Sequence, residues 1–121
     1  IVLPAENNLL FVHWANRNVL AELLNWQVEV FYQPAPFCHS KLMCVDDDYA
    51  LIGSANMDPR SLRLNFEIGV EVFCATLCAS LHGHLAQTVA RSERMTFERL
   101  DARSVPVRLR DSAAALLSPY L

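Results

Sequence analysis

Two short apolar stretches separated by a run of aspartates restrict how this chain folds more than any other feature. Residues 41–45 and 49–52 each have the length of a short strand, and the residues between them, 46–48, are all Asp. Aspartate is common in tight turns because its side chain bonds to the nearby backbone. The pattern therefore predicts a β-hairpin over residues 41–52, whose second strand returns alongside the first.

The segments around this hairpin predict an α/β protein with a mixed β-sheet flanked by helices. Alternating apolar residues are typical of strands, and longer periodic segments that end at Asn or Pro are typical of helices. Further strands are expected at 1–3, 27–32 and 66–73, and helices from Asn7 or Asn8 to about 24 and at 76–90, 96–100 and 109–117. Helices that flank a group of strands form the outer layers of a sheet.

Four polar side chains are spaced so that the hairpin would bring them together. Residues i and i+2 of a strand face the same side, so His39 projects with Lys41, and Ser54 projects with Asn56. An ammonium and two neutral donors suit phosphate oxygens, and an imidazole can attack phosphorus or carry a proton near neutral pH. Gly53 would let a ligand or a backbone approach closely. The spacing therefore predicts a phosphate-handling site.

Charge and composition exclude several classes of function. The chain has 121 residues, a net charge of −3 and a single lysine, which argues against a generally basic nucleic-acid-binding protein. Residues 72–90 carry no formal charge, but their polar residues and strand-like beginning argue against a membrane span. The sequence contains no secretory signal pattern, so reduced thiols are expected at the four cysteines rather than a disulfide framework.

Two groups of residues resemble metal sites, but their geometry does not favour one. Cys74, Cys78 and His82 share one face of the expected helix, whereas His84 points about 160° away from His82, at roughly 100° per residue. The four side chains therefore cannot meet one zinc ion. The carboxylates at 46–48 point in different directions from a tight turn, which does not suit one Mg²⁺ ion. We therefore expect no metal and no cofactor.

Residues 39–56 match a known signature at every fixed position. The order His-x-Lys, four residues, Asp, six residues, Gly-Ser-x-Asn is that of the phospholipase D superfamily. The flanking residues 36–43 and 56–67, which include an Asp-Pro-Arg-Ser run, resemble bacterial cardiolipin synthases. Residues 116–121 are also similar to the C-terminus of such synthases.

The resemblance implies that the chain is part of a larger catalytic unit. Enzymes of this family build one active site from two copies of the signature, and this chain, which begins with Ile, has one. We expect residues 1–121 to form a single partial domain, the C-terminal part of one phospholipase D-like half. Its signature would occupy residues 39–67 and its C-terminal helical segment residues 75–121.

The resemblance also implies roles for His39 and Glu67. Family members form a covalent phosphohistidine, and the chain resembles the second copy, whose histidine protonates the leaving alcohol and then activates the acceptor. His39 would instead be the nucleophile if two identical chains paired. Glu67 matches the carboxylate that holds the other imidazole nitrogen, which fixes the tautomer and stabilises the imidazolium.

The remaining signature residues would handle the phosphoryl group or the scaffold. Lys41, Ser54 and Asn56 would bind the phosphoryl oxygens and stabilise the charge of the transition state. Asp46 belongs to the signature and is expected to order the local structure. The residues assigned to catalysis are thus His39, Lys41, Asp46 and Glu67.

The expected function is that of a cardiolipin synthase-like phosphatidyltransferase. Two phosphatidylglycerols would be joined through a phosphohistidine, with release of glycerol, at the bacterial cell membrane. The expected partners are the phospholipid, the membrane surface and a second phospholipase D-like half in the parent chain or in a dimer, without nucleic acid. The alternatives are hydrolysis by the same site, as a phospholipase or nuclease, and an inactive half-domain.

Overall fold

The structure, a computed structural model, describes residues 1–5, 19–102 and 104–116. The elements follow in the order β1 (Val2–Pro4), α1 (19–25), β2 (Phe31–Gln33), β3 (Lys41–Val45), β4 (Tyr49–Gly53), α2 (Pro59–Arg63), β5 (Gly69–Phe73), α3 (Ala75–Ala90), β6 (Glu93–Arg94), α4 (Phe97–Asp101) and α5 (Val105–Leu116). They form two compact units, one from Ile1–Phe37 with Arg91–Leu121 and the other from Cys38–Ala90.

The first unit contains a small mixed sheet and an apolar core. β1 pairs in parallel with β2, and β2 pairs antiparallel with β6. The core consists of Leu20 from α1, Val30 just before β2 and Leu100 from α4, all of them buried. Helix α4 begins after Thr96, whose hydroxyl accepts a hydrogen bond from the backbone N–H of Arg99. This bond satisfies one of the amides left free at a helix start.

The second unit is an antiparallel sheet that packs against α3. The strand order is β3-β4-β5, so β4 is central, and α3 contacts both β3 and β4. Ala50 of β4 and Cys78 of α3 are fully buried. Small side chains at these two positions allow the helix to approach the sheet closely, and this contact forms the core of the unit.

The hairpin turn between β3 and β4 is hydrogen-bonded to α3 at one end and to Cys74, the residue just before α3, at the other. The backbone N–H of Cys74 donates to the carbonyl oxygen of Asp48 over 2.9 Å. The Nε2 atom of His82 lies 2.7 Å from the carbonyl oxygen of Asp46, where the ring N–H donates. Asp46 has a φ of 52°, in the left-handed region that Asp adopts more readily than most residues.

The α/β class with flanking helices is confirmed, and so is the predicted hairpin. The described strands form two three-stranded sheets, one mixed and one antiparallel. The strand expected over 66–73 begins only at Gly69, because its partner strand ends at Gly53, opposite Gly69. The strand expected at 27–32 is the shorter β2, Phe31–Gln33.

The predicted helices agree with the structure within a few residues wherever they can be compared. α3 begins one residue before its predicted start, and α5 begins four residues before. The predicted caps of the first helix, Asn7 and Asn8, lie outside the described residues, and its end at residue 25 is close to the predicted 24. Within the described ranges, none of the helices combines the length and apolarity needed to cross a bilayer.

The core of the first unit should be sensitive to the loss of side-chain volume. Leu20 is only 2% exposed, so we expect Leu20→Ala to lower the free energy of unfolding by roughly 2–5 kcal/mol, through lost burial and a residual cavity. Urea unfolding followed by circular dichroism measures this change. Leu109→Ala, at an exposed position of α5, is the matched control. Similar losses in both variants would contradict the assignment of the core.

Candidate active site

His39, Lys41, Ser54 and Glu67 lie at one end of the antiparallel sheet. The strand register places Lys41 opposite Gly53, and Gly53 opposite Gly69. His39 precedes β3 by two residues, and Ser54 follows β4 directly. The three strands are hydrogen-bonded neighbours about 4.8 Å apart. The residues just beyond the row Lys41, Gly53 and Gly69 therefore lie at the same end of the sheet.

The side chains of His39 and Lys41 are in direct contact, as the i, i+2 spacing predicted. Lys41 Nζ lies 2.8 Å from Nδ1 and 3.1 Å from Nε2 of the His39 ring, and it donates to the His39 carbonyl oxygen over 2.8 Å. The ammonium is therefore held near both ring nitrogens. His39 is exposed and Lys41 half-buried. An anion that approached the ring would meet this positive charge at the same point.

Ser54 joins the strand ends through hydrogen bonds to Ile68 and Glu67. Its backbone N–H donates to the carbonyl oxygen of Ile68 over 2.9 Å, and its Oγ accepts from the Ile68 N–H over 3.0 Å. The hydroxyl donates to Oε2 of Glu67 in a short contact. The signature serine and the carboxylate 13 residues later are thus directly connected.

Gly53 is required because the backbone of another strand approaches it closely. A Cβ atom at this position would lie 2.7 Å from the Ile68 carbonyl oxygen and 3.3 Å from the Gly69 Cα. The first distance is shorter than real contacts allow, so any larger residue would push the strand ends apart. The close approach that the sequence predicted at Gly53 is confirmed, and the approaching group is the backbone that pairs with Ser54.

Glu67 is held ionised by its neighbours. The pKa of its carboxyl group lies below the usual value, first because Ser54 donates a hydrogen bond and then because Asn65 and Ser61 do, although desolvation opposes them. The Asn65 amide donates to Oε1 over 3.3 Å. Hydrogen bonds to a carboxylate favour its charged form. The site therefore contains a fixed negative charge beside the Ser54 hydroxyl.

Asn56 and Asp46 lie apart from these contacts. Asn56 is exposed, and its amide forms no hydrogen bond to the described residues. Asp46 lies in the turn at the other end of β3, about 17 Å along the strand from Lys41, at 3.4 Å per residue. The structure thus brings His39 to Lys41 and Ser54 to Glu67, and it leaves Asp46 with the turn.

Three contacts of this region were not predicted from the sequence. These are the Asn65 amide on Glu67, the Ile68 backbone on Ser54, and the His82 ring on the Asp46 carbonyl. The first could have been found, because Asn65 and Glu67 have the i, i+2 spacing that joins His39 and Lys41. The other two depend on which strand and helix pack beside the hairpin, which local spacing does not reveal.

The cysteines and acidic residues form no other candidate centre here. All four cysteines are free thiols. Among the residues the structure describes, no three His, Cys, Asp or Glu side chains are grouped in a way that could hold a metal ion. The polar contacts at this end of the sheet are therefore the pair His39–Lys41 and the pair Ser54–Glu67, which place an imidazole beside an ammonium and a hydroxyl beside a carboxylate.

Comparisons with known proteins identify relatives over the whole chain. A family model described as "Cardiolipin synthase, PLD-like domain" matches residues 1–89. All 121 residues align with the major cardiolipin synthase of Bacillus subtilis at 33% identity, with cardiolipin synthase 1 of Staphylococcus epidermidis at 32%, and with the cardiolipin synthase of Staphylococcus aureus at 35%. The alignment covers 25%, 25% and 24% of these proteins, so the chain spans about a quarter of their length.

Proposed function

Because the chain belongs to the PLD-like domain family of cardiolipin synthases, we propose that it forms part of a phosphatidyltransferase. The parent enzyme would join two phosphatidylglycerols into cardiolipin and release glycerol at the bacterial cell membrane. A second phospholipase D-like half, in the parent chain or in a paired copy, would complete the site. The contact of Lys41 with the His39 ring is the observation that carries this proposal, because it places a proton carrier and a phosphate-binding charge together.

His39 is assigned the proton transfers of a two-step reaction. In the first step a histidine of the other half attacks phosphorus, the bond from phosphorus to the glycerol oxygen breaks, and protonated His39 gives that oxygen its proton. In the second step neutral His39 takes a proton from a hydroxyl of the second phosphatidylglycerol. The resulting oxygen attacks phosphorus, and the phosphorus–nitrogen bond breaks. In a dimer of identical chains, one His39 would be the nucleophile and the other the acid.

Lys41 and Asn56 are assigned to the oxygens of the phosphoryl group. The Lys41 ammonium is already positioned at the His39 ring, and the Asn56 amide is exposed and available. Ser54 differs from these two residues, because its hydroxyl group already donates a hydrogen bond to Glu67. We therefore assign Ser54 to the same oxygens after it turns away from Glu67. Donors that are fixed before the reaction stabilise developing charge without reorganising.

Analysis of the reaction products tests this function. The full parent protein is incubated with phosphatidylglycerol vesicles, and the lipids are identified by mass spectrometry, with His39→Ala as the control. We expect cardiolipin and glycerol, both lost in the control. Phosphatidic acid as the product would show that water is the acceptor and that the enzyme is a hydrolase. No lipid product would contradict the proposal in favour of a nuclease or an inactive half-domain.

Glu67 is assigned to orienting an imidazole of the site, so its charge should matter for turnover. We expect Glu67→Gln to lower kcat by roughly 10²-fold while the KM for phosphatidylglycerol changes little. The amide keeps the shape of the side chain but loses the negative charge that stabilises an imidazolium. Steady-state kinetics on vesicles measures both constants. Equal losses of turnover and of lipid binding would contradict the orienting role.

The pH profile gives a second check on Glu67. Its pKa is lowered, so the carboxylate stays ionised until the pH falls below the ordinary glutamate range. Any loss of turnover between pH 7 and 5 should therefore come from another group. We expect Glu67→Gln to keep an acid limb that is moved to lower pH, because the imidazolium loses the carboxylate that stabilises it. An acid limb that disappears in the variant would contradict this assignment.

A further inference from the structure

Directly after Asn56, the chain exposes large apolar side chains. Met57 is 88% exposed, Leu62 is 64% and Leu64 is 72%, and Phe66 is fully exposed. Apart from the five-residue helix α2, the segment 57–66 contains no helix or strand. Met57 and Leu62 line one surface depression, and Leu64 and Phe66 follow within the next four residues, so exposed apolar side chains are concentrated in this segment rather than scattered singly.

Positive charge is interleaved with these apolar residues. Segment 57–66 contains one acidic and two basic residues. Asp58 is occupied in capping α2, since its Oδ1 accepts from the Ser61 N–H over 2.6 Å. Arg63 forms no ion pair within the part of the chain that is described. It lines an open depression of about 320 Å³ with Asp58, Met57 and Leu62. A cation therefore lies among the apolar side chains of this depression.

We propose that the surface formed by Met57, Leu62, Arg63, Leu64 and Phe66, called the 57–66 surface, contacts the phospholipid bilayer beside the active site. The proposal rests on the proposed function, because a phosphatidyl substrate must bring its phosphate to the site while its acyl chains remain in lipid. Asn56 and Met57 are adjacent in the chain, so the phosphate donors and the apolar side chains succeed one another. Arg63 faces the phosphate layer, and the apolar side chains enter the acyl region.

The charge distribution favours a lipid over a protein occupant for this surface. The bilayer interface offers anionic phosphates directly above an apolar layer, which matches a cation among apolar side chains. The exposed pair Ile52 and Val70 differs from it. These two residues are paired in the sheet and face the same side as Ala50, which is covered by α3. They extend an existing apolar face, and we assign no lipid contact to them.

Depth-dependent quenching tests the contact without disturbing the fold. A tryptophan is introduced at the exposed position Leu62, and the parent protein is reconstituted in vesicles of phosphatidylglycerol and phosphatidylcholine with or without brominated acyl chains. The tryptophan fluorescence of the wild-type protein, recorded in the same vesicles, is subtracted from that of each variant. Phe73→Trp is the matched control, because Phe73 is exposed at the other end of β5. We expect quenching and a blue shift for Leu62→Trp and neither for Phe73→Trp.

Kinetics on two forms of the substrate separates membrane contact from catalysis. The double variant Leu62→Ser/Leu64→Ser should raise the apparent KM for vesicle phosphatidylglycerol by roughly 100-fold, since two leucine side chains no longer enter lipid. Turnover of a short-chain, monomeric phosphatidylglycerol should be unchanged. Arg63→Gln should raise the vesicle KM about fivefold at low salt and less at high salt.

Three results would overturn the proposal. Emission from Leu62→Trp that is blue-shifted before lipid is added and not quenched would show that another part of the parent protein covers the surface. Solvent-like emission with no quenching would show that nothing covers it. Equal losses on vesicle and monomeric substrate would show a structural role. Quenching without any cardiolipin formation would leave the membrane contact standing and refute only the proposed transfer.

Discussion

Replacement of His39 by alanine is expected to lower cardiolipin formation by roughly 10³- to 10⁴-fold, because both proton transfers then lose their carrier. The side chain is exposed, so its removal leaves no cavity and the melting temperature should not change. Mass spectrometry of the lipid products measures the loss, and a thermal unfolding curve confirms that the variant is folded.

The choice of leaving group separates the acid from the nucleophile. The leaving group of a phosphatidyl ester of p-nitrophenol is p-nitrophenolate, which departs without a proton. The first step should therefore survive in His39→Ala if His39 is the acid. One equivalent of p-nitrophenol should then be released in a burst, with a covalent phosphoprotein left behind. The absence of both burst and phosphoprotein would contradict the acid role and assign the nucleophile to His39.

Removal of the charge of Lys41 is the second large expected effect. We expect Lys41→Met to lower kcat/KM for phosphatidylglycerol by about 10²- to 10³-fold, because we assign its ammonium to the oxygens on which phosphoryl charge develops. The same change also removes the hydrogen bonds to the His39 ring and carbonyl. Initial rates on vesicles over a range of lipid concentrations measure the constant.

Two matched variants show whether charge alone is sufficient at this position. Lys41→Arg keeps the charge, but its planar fork does not fit the compact place between ring and carbonyl, so we expect an intermediate loss. Arg91→Met removes an exposed cation just after α3 and should have no effect on turnover. A Lys41→Met enzyme within about tenfold of wild type would refute the phosphate-binding role.

The local parts of the fold could be read from the sequence because their determinants are local. The hairpin of β3 and β4 follows from the two apolar stretches and the aspartates between them, and its bounds differ from the prediction by one residue. Alternation overestimated β5, since Phe66 and Ile68 continue the pattern although they have no partner in β4. The residue at which a strand begins depends on the length of the neighbouring strand. The alternation of apolar residues does not indicate that length.

The contacts of the candidate site also differ in how far they could be predicted from the sequence. The contact between His39 and Lys41 was predictable, since they are two positions apart in the chain. The hydrogen bond between Ser54 and Glu67 spans 13 residues and depends on β5 returning beside β4. The family resemblance implied that Glu67 belongs to the site, but not that its first partner is a hydroxyl. The catalytic roles of these residues stay predictions until the variants are measured.

The attachment of the hairpin turn to α3 has a practical consequence for anyone who engineers this protein. An exposed, acidic turn of three residues is where a designer would insert an affinity tag or open new chain ends. Here the Asp46 carbonyl oxygen binds His82 of α3, and the Asp48 carbonyl oxygen binds Cys74 just before α3. An insertion at this turn would disturb both contacts next to the strands that carry the signature, so new termini belong elsewhere.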